Sequence, residues 1–154
     1  MKKKIVYVDM DNVLVDFRSA LDILKIKNPK ILEEYKDNED EITSVFSKME
    51  PMKGAIEAFN FLAANFDTYI LSTAPWNNPS AWSDKLNWVK KYFGESAHKR
   101  LILTHHKNLN KGDFLIDDRD KNGAAEFEGE LIKFGPDGFP DWDAVIAFMK
   151  SKIE

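Results

Sequence analysis

A chain of 154 residues, 44% hydrophobic and 31% charged, is long enough for one globular domain with a small insertion and too apolar for disorder. The absence of cysteine excludes disulfides, thiol nucleophiles and thiolate metal sites, and a net charge of −4 gives no general attraction for nucleic-acid polymers or anionic membranes. No apolar run approaches the length of a membrane span, and the basic start leads straight into a strand-like stretch without the apolar core of a signal peptide, so a cytoplasmic protein is expected.

Lys4 to Val8 is a continuous apolar run and predicts a first strand covered on both faces. Residues 16–52 then hold no convincing strand. Phe17, Leu21 and Leu24 share one helical face, and Ile42, Val45, Phe46 and Met49 share another. Asn38 followed by Glu41 resembles a capping box, with the acidic run Asp37 to Glu41 suited to that helix's N-terminus. This segment reads as a small helical cap, residues 16–52, inserted into a core made of residues 1–15 and 53–154.

Beyond it, a helix from Gly54 to about Asn65 precedes a strand at Thr68 to Leu71. Trp82, Leu86, Val89 and Phe93 form a helical stripe, closed by Lys90 and Lys91 in the last turn and by Gly94. Strands follow at Leu101 to Leu103, Phe114 to Ile116 and Leu131 to Phe134, and a last helix runs from about Asp141 to Lys150. Strands alternating with helices predict an α/β domain with a mainly parallel sheet.

The chemistry gathers at strand ends. The first strand runs into Asp9-Met10-Asp11, and the strand at Phe114 to Ile116 runs into Asp117-Asp118. Parallel strands open on one edge, so the two acidic pairs are expected to meet there. Four converging carboxylates would repel one another, a conflict that a divalent cation resolves. Ligands that are all oxygen point to Mg2+ held by Asp9, Asp11, Asp117 and Asp118. Thr73 offers a hydroxyl at the end of its strand, and Lys107, ten positions before Asp117, offers a point charge for a phosphoryl group.

The order aspartate pair, Ser/Thr, Lys, acidic pair resembles the haloacid dehalogenase-like phosphatase superfamily. Within it the chain is most similar to the 5'(3')-deoxyribonucleotidases, through Asp9-Met10-Asp11-x-Val13-Leu14-x-Asp16-Phe17, Thr73-x-Pro75, Trp88-Val89-x-Lys91-Tyr92-Phe93-Gly94, Ile102-Leu103-Thr104-x-x-Lys107 and Leu115-Ile116-Asp117-Asp118-Arg119. The resemblance implies a Rossmann-like, five-stranded parallel sheet of order 3-2-1-4-5. It also implies Asp9 as nucleophile, Asp11 as general acid and base, and phosphate contacts from Thr73 and Lys107. Asn12 stands where that family commonly has Gly, and Asn tolerates the left-handed backbone such a turn needs. Ala74 stands where a second hydroxyl is often found.

The expected substrate is a small phosphomonoester, a deoxynucleoside monophosphate by resemblance, with its base against Phe17 and Trp76. The protein acting on it would be a monomer or homodimer. Lys85 reads as a solvated helix lysine, His105 and His106 as a solvated loop, and Trp142 as core. A sugar phosphatase would carry the same motifs. A signalling receiver would place its acidic pair early, and a non-catalytic phosphate-binding module would have no need of two intact pairs.

Overall fold

The computed structural model describes residues 2–153, so the outermost positions of the expected core segments, Met1 and Glu154, lie outside it. In chain order the elements are β1 (Ile5–Val8), β2 (Val15–Asp16), α1 (Phe17–Lys27), α2 (Pro29–Glu34), β3 (Glu50–Pro51), α3 (Ala55–Asn65), β4 (Asp67–Ser72), α4 (Pro79–Phe93), β5 (Leu101–Leu103), β6 (Phe114–Asp117), β7 (Glu130–Lys133) and α5 (Trp142–Lys150). Five strands form one parallel sheet of order β5-β4-β1-β6-β7, which is 3-2-1-4-5 over the five predicted strands. The sheet grows outward from β1 in both directions, so the chain turns away to opposite sides at its C-terminal edge and leaves a crevice there.

Continuous apolar runs make these strands because both faces are covered. Val6, Val8, Ile70, Ile116 and Ile132 pack on one side with Phe59, Leu62, Val145 and Met149, whereas Tyr7, Leu71 and Leu115 pack on the other with Ala124 and Phe127. Trp142 is buried as expected, and its indole N–H donates to the Val13 carbonyl at 2.8 Å, tying α5 to the loop after β1.

A small insert follows β1. Its base is a short antiparallel pair, β2 with β3, in register Val15 to Pro51 and Asp16 to Glu50. The insert's apolar residues Leu24, Ile42, Val45, Phe46 and Met49 join the main core. Trp88 donates its indole N–H to the Met49 carbonyl, and the buried Asn78 amide donates to the carbonyls of Asp40 and Ile42.

Two expectations are corrected. The stretch from Asn38 to Met49 holds two 3-10 turns, Glu39–Glu41 and Val45–Lys48, rather than a helix capped by Asn38. Ser44, between them, holds a left-handed φ of 65°, which a continuous helix cannot contain. The buried face of α4 is Ala81, Lys85, Trp88, Val89 and Phe93, while Trp82 and Leu86 from the expected stripe are exposed. The helix is rotated by one position from that reading, which carries Lys85 inward.

Candidate active site

Asp9 extends β1 by one residue, its amide N–H donating to the Ile116 carbonyl at 2.9 Å and continuing the ladder with β6. The chain then reverses in a tight turn. The Met10 carbonyl accepts from the amides of Val13, Leu14 and Val15, and Asn12 sits at φ 62°, the left-handed conformation anticipated for it. β6 ends at Asp117, whose Oδ1 accepts from the Arg119 amide at 3.1 Å. Neighbouring strands thus deliver Asp9 and Asp117 to one place.

Oxygens of Asp9, Asp117 and Asp118 come within 4.8 Å of one another, an arrangement that could hold a metal ion. Oδ1 of Asp118 is buried with no hydrogen-bond partner among the described residues, and a cation would satisfy it. Burial raises the Asp9 carboxyl to about 7; the Asp117 charge adds to the rise and Lys107 opposes it. Burial, then the Asp9 charge, raises Asp118 to about 6.

The Lys107 ammonium stands between the two strand ends, 3.1 Å from Asp9 Oδ1 and 2.5 Å from Asp117 Oδ2. Its own burial works to lower its pKa, but the two carboxylates prevail and raise it. The 3-10 turn Lys107–Leu109 is fixed by the Lys107 amide donating to the Asn122 carbonyl at 2.8 Å. The next residue, Gly123, has φ +85°, and a Cβ there would lie 2.3 Å from Asn108 Oδ1 and 3.0 Å from the Lys107 amide. Only glycine fits that approach.

Asp11 does not join the carboxylate triad through its side chain. Its Oδ2 pairs instead with Lys85 at 3.0 Å. Lys85 is fully buried, contrary to the solvated helix lysine expected, and also donates to the Ser72 hydroxyl and the Thr73 carbonyl. The signal for it was available: Lys85 falls four residues after Ala81 and three before Trp88, on the apolar side of α4. Thr73 is at the end of β4, with its hydroxyl donating to the Thr104 carbonyl at 2.8 Å.

Asp11 and Thr73 open into a cleft of about 490 Å3 between sheet edge and insert, lined also by Phe17, Asp40, His105 and Arg119 among others, while Asp9, Asp117 and Asp118 lie behind its lining. Phe17 meets the buried Phe46 edge-on. Trp76 is 79% exposed and meets His105 edge-on, and Pro75 and His105 form that wall of the cleft while Trp76 stands outside it. His105, read as solvated, lies between Trp76 and Trp82. Larger concavities near Arg100 and beside β5 are lined by neither Asp11 nor Thr73.

Structures of low sequence identity share this fold. A haloacid dehalogenase-like hydrolase of Xanthomonas campestris matches with a TM-score of 0.62 at 11% identity, covering 97% of this chain and 96% of that one. A Bacillus subtilis hydrolase of the same superfamily, described as bound to magnesium, matches at 0.63 and 11%, covering 97% and 99%. By sequence, a provisionally named 5'(3')-deoxyribonucleotidase of Vibrio phage KVP40 is 57% identical, covering 97% of this chain and 86% of the relative. The 5'(3')-deoxyribonucleotidase of Bacillus subtilis is 28% identical, covering 86% and 85%. The family model "5' nucleotidase, deoxy (Pyrimidine), cytosolic type C protein" matches residues 25–137. With more than half its length under that family's model and a close relative matched almost end to end, the chain belongs to the 5'(3')-deoxyribonucleotidase family.

Proposed function

We propose that the chain is a Mg2+-dependent phosphomonoesterase that hydrolyses deoxynucleoside monophosphates through an aspartyl-phosphate intermediate. The observation that carries this reading is the buried Asp9 carboxylate at the sheet's open edge, with Lys107, Asp117 and Asp118 on one side and the Lys85-held Asp11 on the other. The names of the relatives support the substrate class, and the magnesium-bound neighbour supports the metal.

Mg2+ would be held by Asp9, Asp117 and Asp118 together with the main-chain carbonyl of Asp11, and when bound it supplies positive charge against the phosphoryl oxygens. A carboxylate oxygen of Asp9 attacks phosphorus, the bond from phosphorus to the ester oxygen breaks, and a proton from the Asp11 carboxyl converts the departing alkoxide into the nucleoside hydroxyl. Water then attacks the phosphorus of the aspartyl phosphate. Asp11 takes its proton, the bond to the Asp9 oxygen breaks, and inorganic phosphate leaves with Asp9 restored. Lys107, and Thr73 once its hydroxyl turns from the Thr104 carbonyl, would neutralise phosphoryl oxygens.

Residues 16–52 act in this reading as a cap over the core formed by 1–15 and 53–154, and Phe17 carries the base contact, with Trp76 at the mouth. The cytosolic description of the family model supports a cytoplasmic location. The test is kcat/KM across deoxynucleoside, ribonucleoside and sugar monophosphates, with and without chelator. A deoxynucleotide is expected to be the best substrate, and activity is expected to vanish in chelator. Preference for a sugar phosphate would contradict the substrate class, and undiminished turnover in chelator would contradict the metal.

A further inference from the structure

The Lys85 ammonium has three protons and three acceptors: Asp11 Oδ2 at 3.0 Å, Ser72 Oγ at 2.8 Å and the Thr73 carbonyl at 3.0 Å. Its remaining flank is covered by the Phe46 ring, 4.7 Å from the nitrogen. A buried ammonium is costly unless its hydrogen bonds are met, so these four contacts define one position for it. Two of its acceptors belong to the end of β4, a part of the main sheet, so the group is anchored independently of Asp11.

Asp11 itself lies on the turn after β1, where an unrestrained carboxylate would sample several rotamers. Lys85 occupies Oδ2. Oδ1 is buried and has no hydrogen-bond partner among the described residues, while Asp11 lines the cleft. The ammonium therefore fixes how this cleft-lining carboxylate is turned, by holding one of its two oxygens.

We infer that Lys85 is a positioning residue that locks the orientation of the Asp11 carboxylate, the group that passes the proton to and from the reacting oxygens. The inference rests on the reading of Asp11 as general acid and base. Lys85 touches neither phosphate nor metal in this role, and what it controls is delivery of a proton to the leaving group. A nucleoside alkoxide needs that proton, whereas p-nitrophenolate leaves as a stable anion and needs little help.

The experiment compares kcat/KM on a deoxynucleoside monophosphate and on p-nitrophenyl phosphate for wild type, Lys85→Met and Asp11→Asn, with Mg2+ present. Lys85→Met keeps the apolar stem and removes the ammonium. It is expected to lose about a hundredfold on the nucleotide, the scale of general acid catalysis, and at least about tenfold less on the nitrophenyl ester. Asp11→Asn should show the same bias. Equal losses of Lys85→Met on both substrates, with Asp11→Asn biased, would overturn the positioning role and leave Asp11's role standing. An unbiased Asp11→Asn would overturn the acid reading and this inference with it. If Lys85→Met does not fold by circular dichroism, Ser72→Ala, which removes one anchor of the ammonium, should show the same bias at smaller size, and an unbiased loss there would be equally contrary.

Discussion

Oδ1 of Asp9 and Nζ of Lys107 lie 3.1 Å apart with both side chains almost wholly buried, and the same ammonium also meets Asp117. A single cation thus holds the ends of β1 and β6 together before any metal arrives. Lys107→Met should leave two buried carboxylates uncompensated. We expect a stability loss of about 3–5 kcal/mol at neutral pH, the scale for breaking a buried pair, measured by urea unfolding in chelator. The loss should shrink at pH 5, where Asp9, raised to about 7, takes up its proton. A pH-independent loss would mean that packing, and not charge, is what Lys107 supplies.

Metal binding should depend on pH with a definite sign. Asp9 is raised to about 7 and Asp118 to about 6 from an ordinary value of 3.8, so between roughly pH 4 and 7 the metal-free native state binds more protons than the unfolded chain. Their contribution to stability is present below pH 4 and is lost as pH rises through 6 to 7. Mg2+ competes with those protons. Its thermal stabilisation should therefore be larger at pH 8 than at pH 5, as differential scanning calorimetry would show. An equal shift at both values would place the ion elsewhere.

The two aromatic residues proposed near the base should differ. Phe17 lines the cleft beside Phe46, while Trp76 is largely exposed outside it. Phe17→Ala should lower nucleotide kcat/KM by about tenfold or more, within the range of base stacking, and Trp76→Ala by only about twofold. A larger effect for Trp76 would require its loop to close over the substrate.

Most of the fold was legible because buried parallel strands advertise themselves as apolar runs, and the carboxylates because they stand at the ends of those runs. Asn12 was legible for the same local reason, a turn that needs left-handed backbone. Lys85 was not, since a lysine between Asp84 and Leu86 looks like a solvated face and its burial depends on Asp11, 74 residues earlier in the chain. The turns around Ser44 were misread because Ile42, Val45, Phe46 and Met49 are buried as expected, and apolar spacing does not separate one helix from two 3-10 turns. Asn78 is equally silent in the sequence, because what it bonds, the Asp40 and Ile42 carbonyls, lies in the insert.

Gly123 offers a test of how far the Lys107 turn controls the site. With φ +85° and a Cβ position already filled by Asn108, Gly123→Ala should displace the turn and cost about 1–3 kcal/mol, the scale of local backbone strain. We expect kcat to fall more than KM rises, because the ammonium serves the reacting phosphoryl group. Unchanged kcat in folded protein would show that Lys107 reaches its position without this loop.

The nucleophilic role of Asp9 is tested most directly by trapping the intermediate. During turnover of a deoxynucleoside monophosphate with Mg2+, acid quenching followed by borohydride reduction and peptide mass spectrometry should find Asp9 converted to homoserine. Asp9→Asn should give neither the adduct nor turnover. Normal turnover with Asp9 unmodified, or a phosphoryl group retained on the Asp9→Asn protein, would contradict attack by this residue.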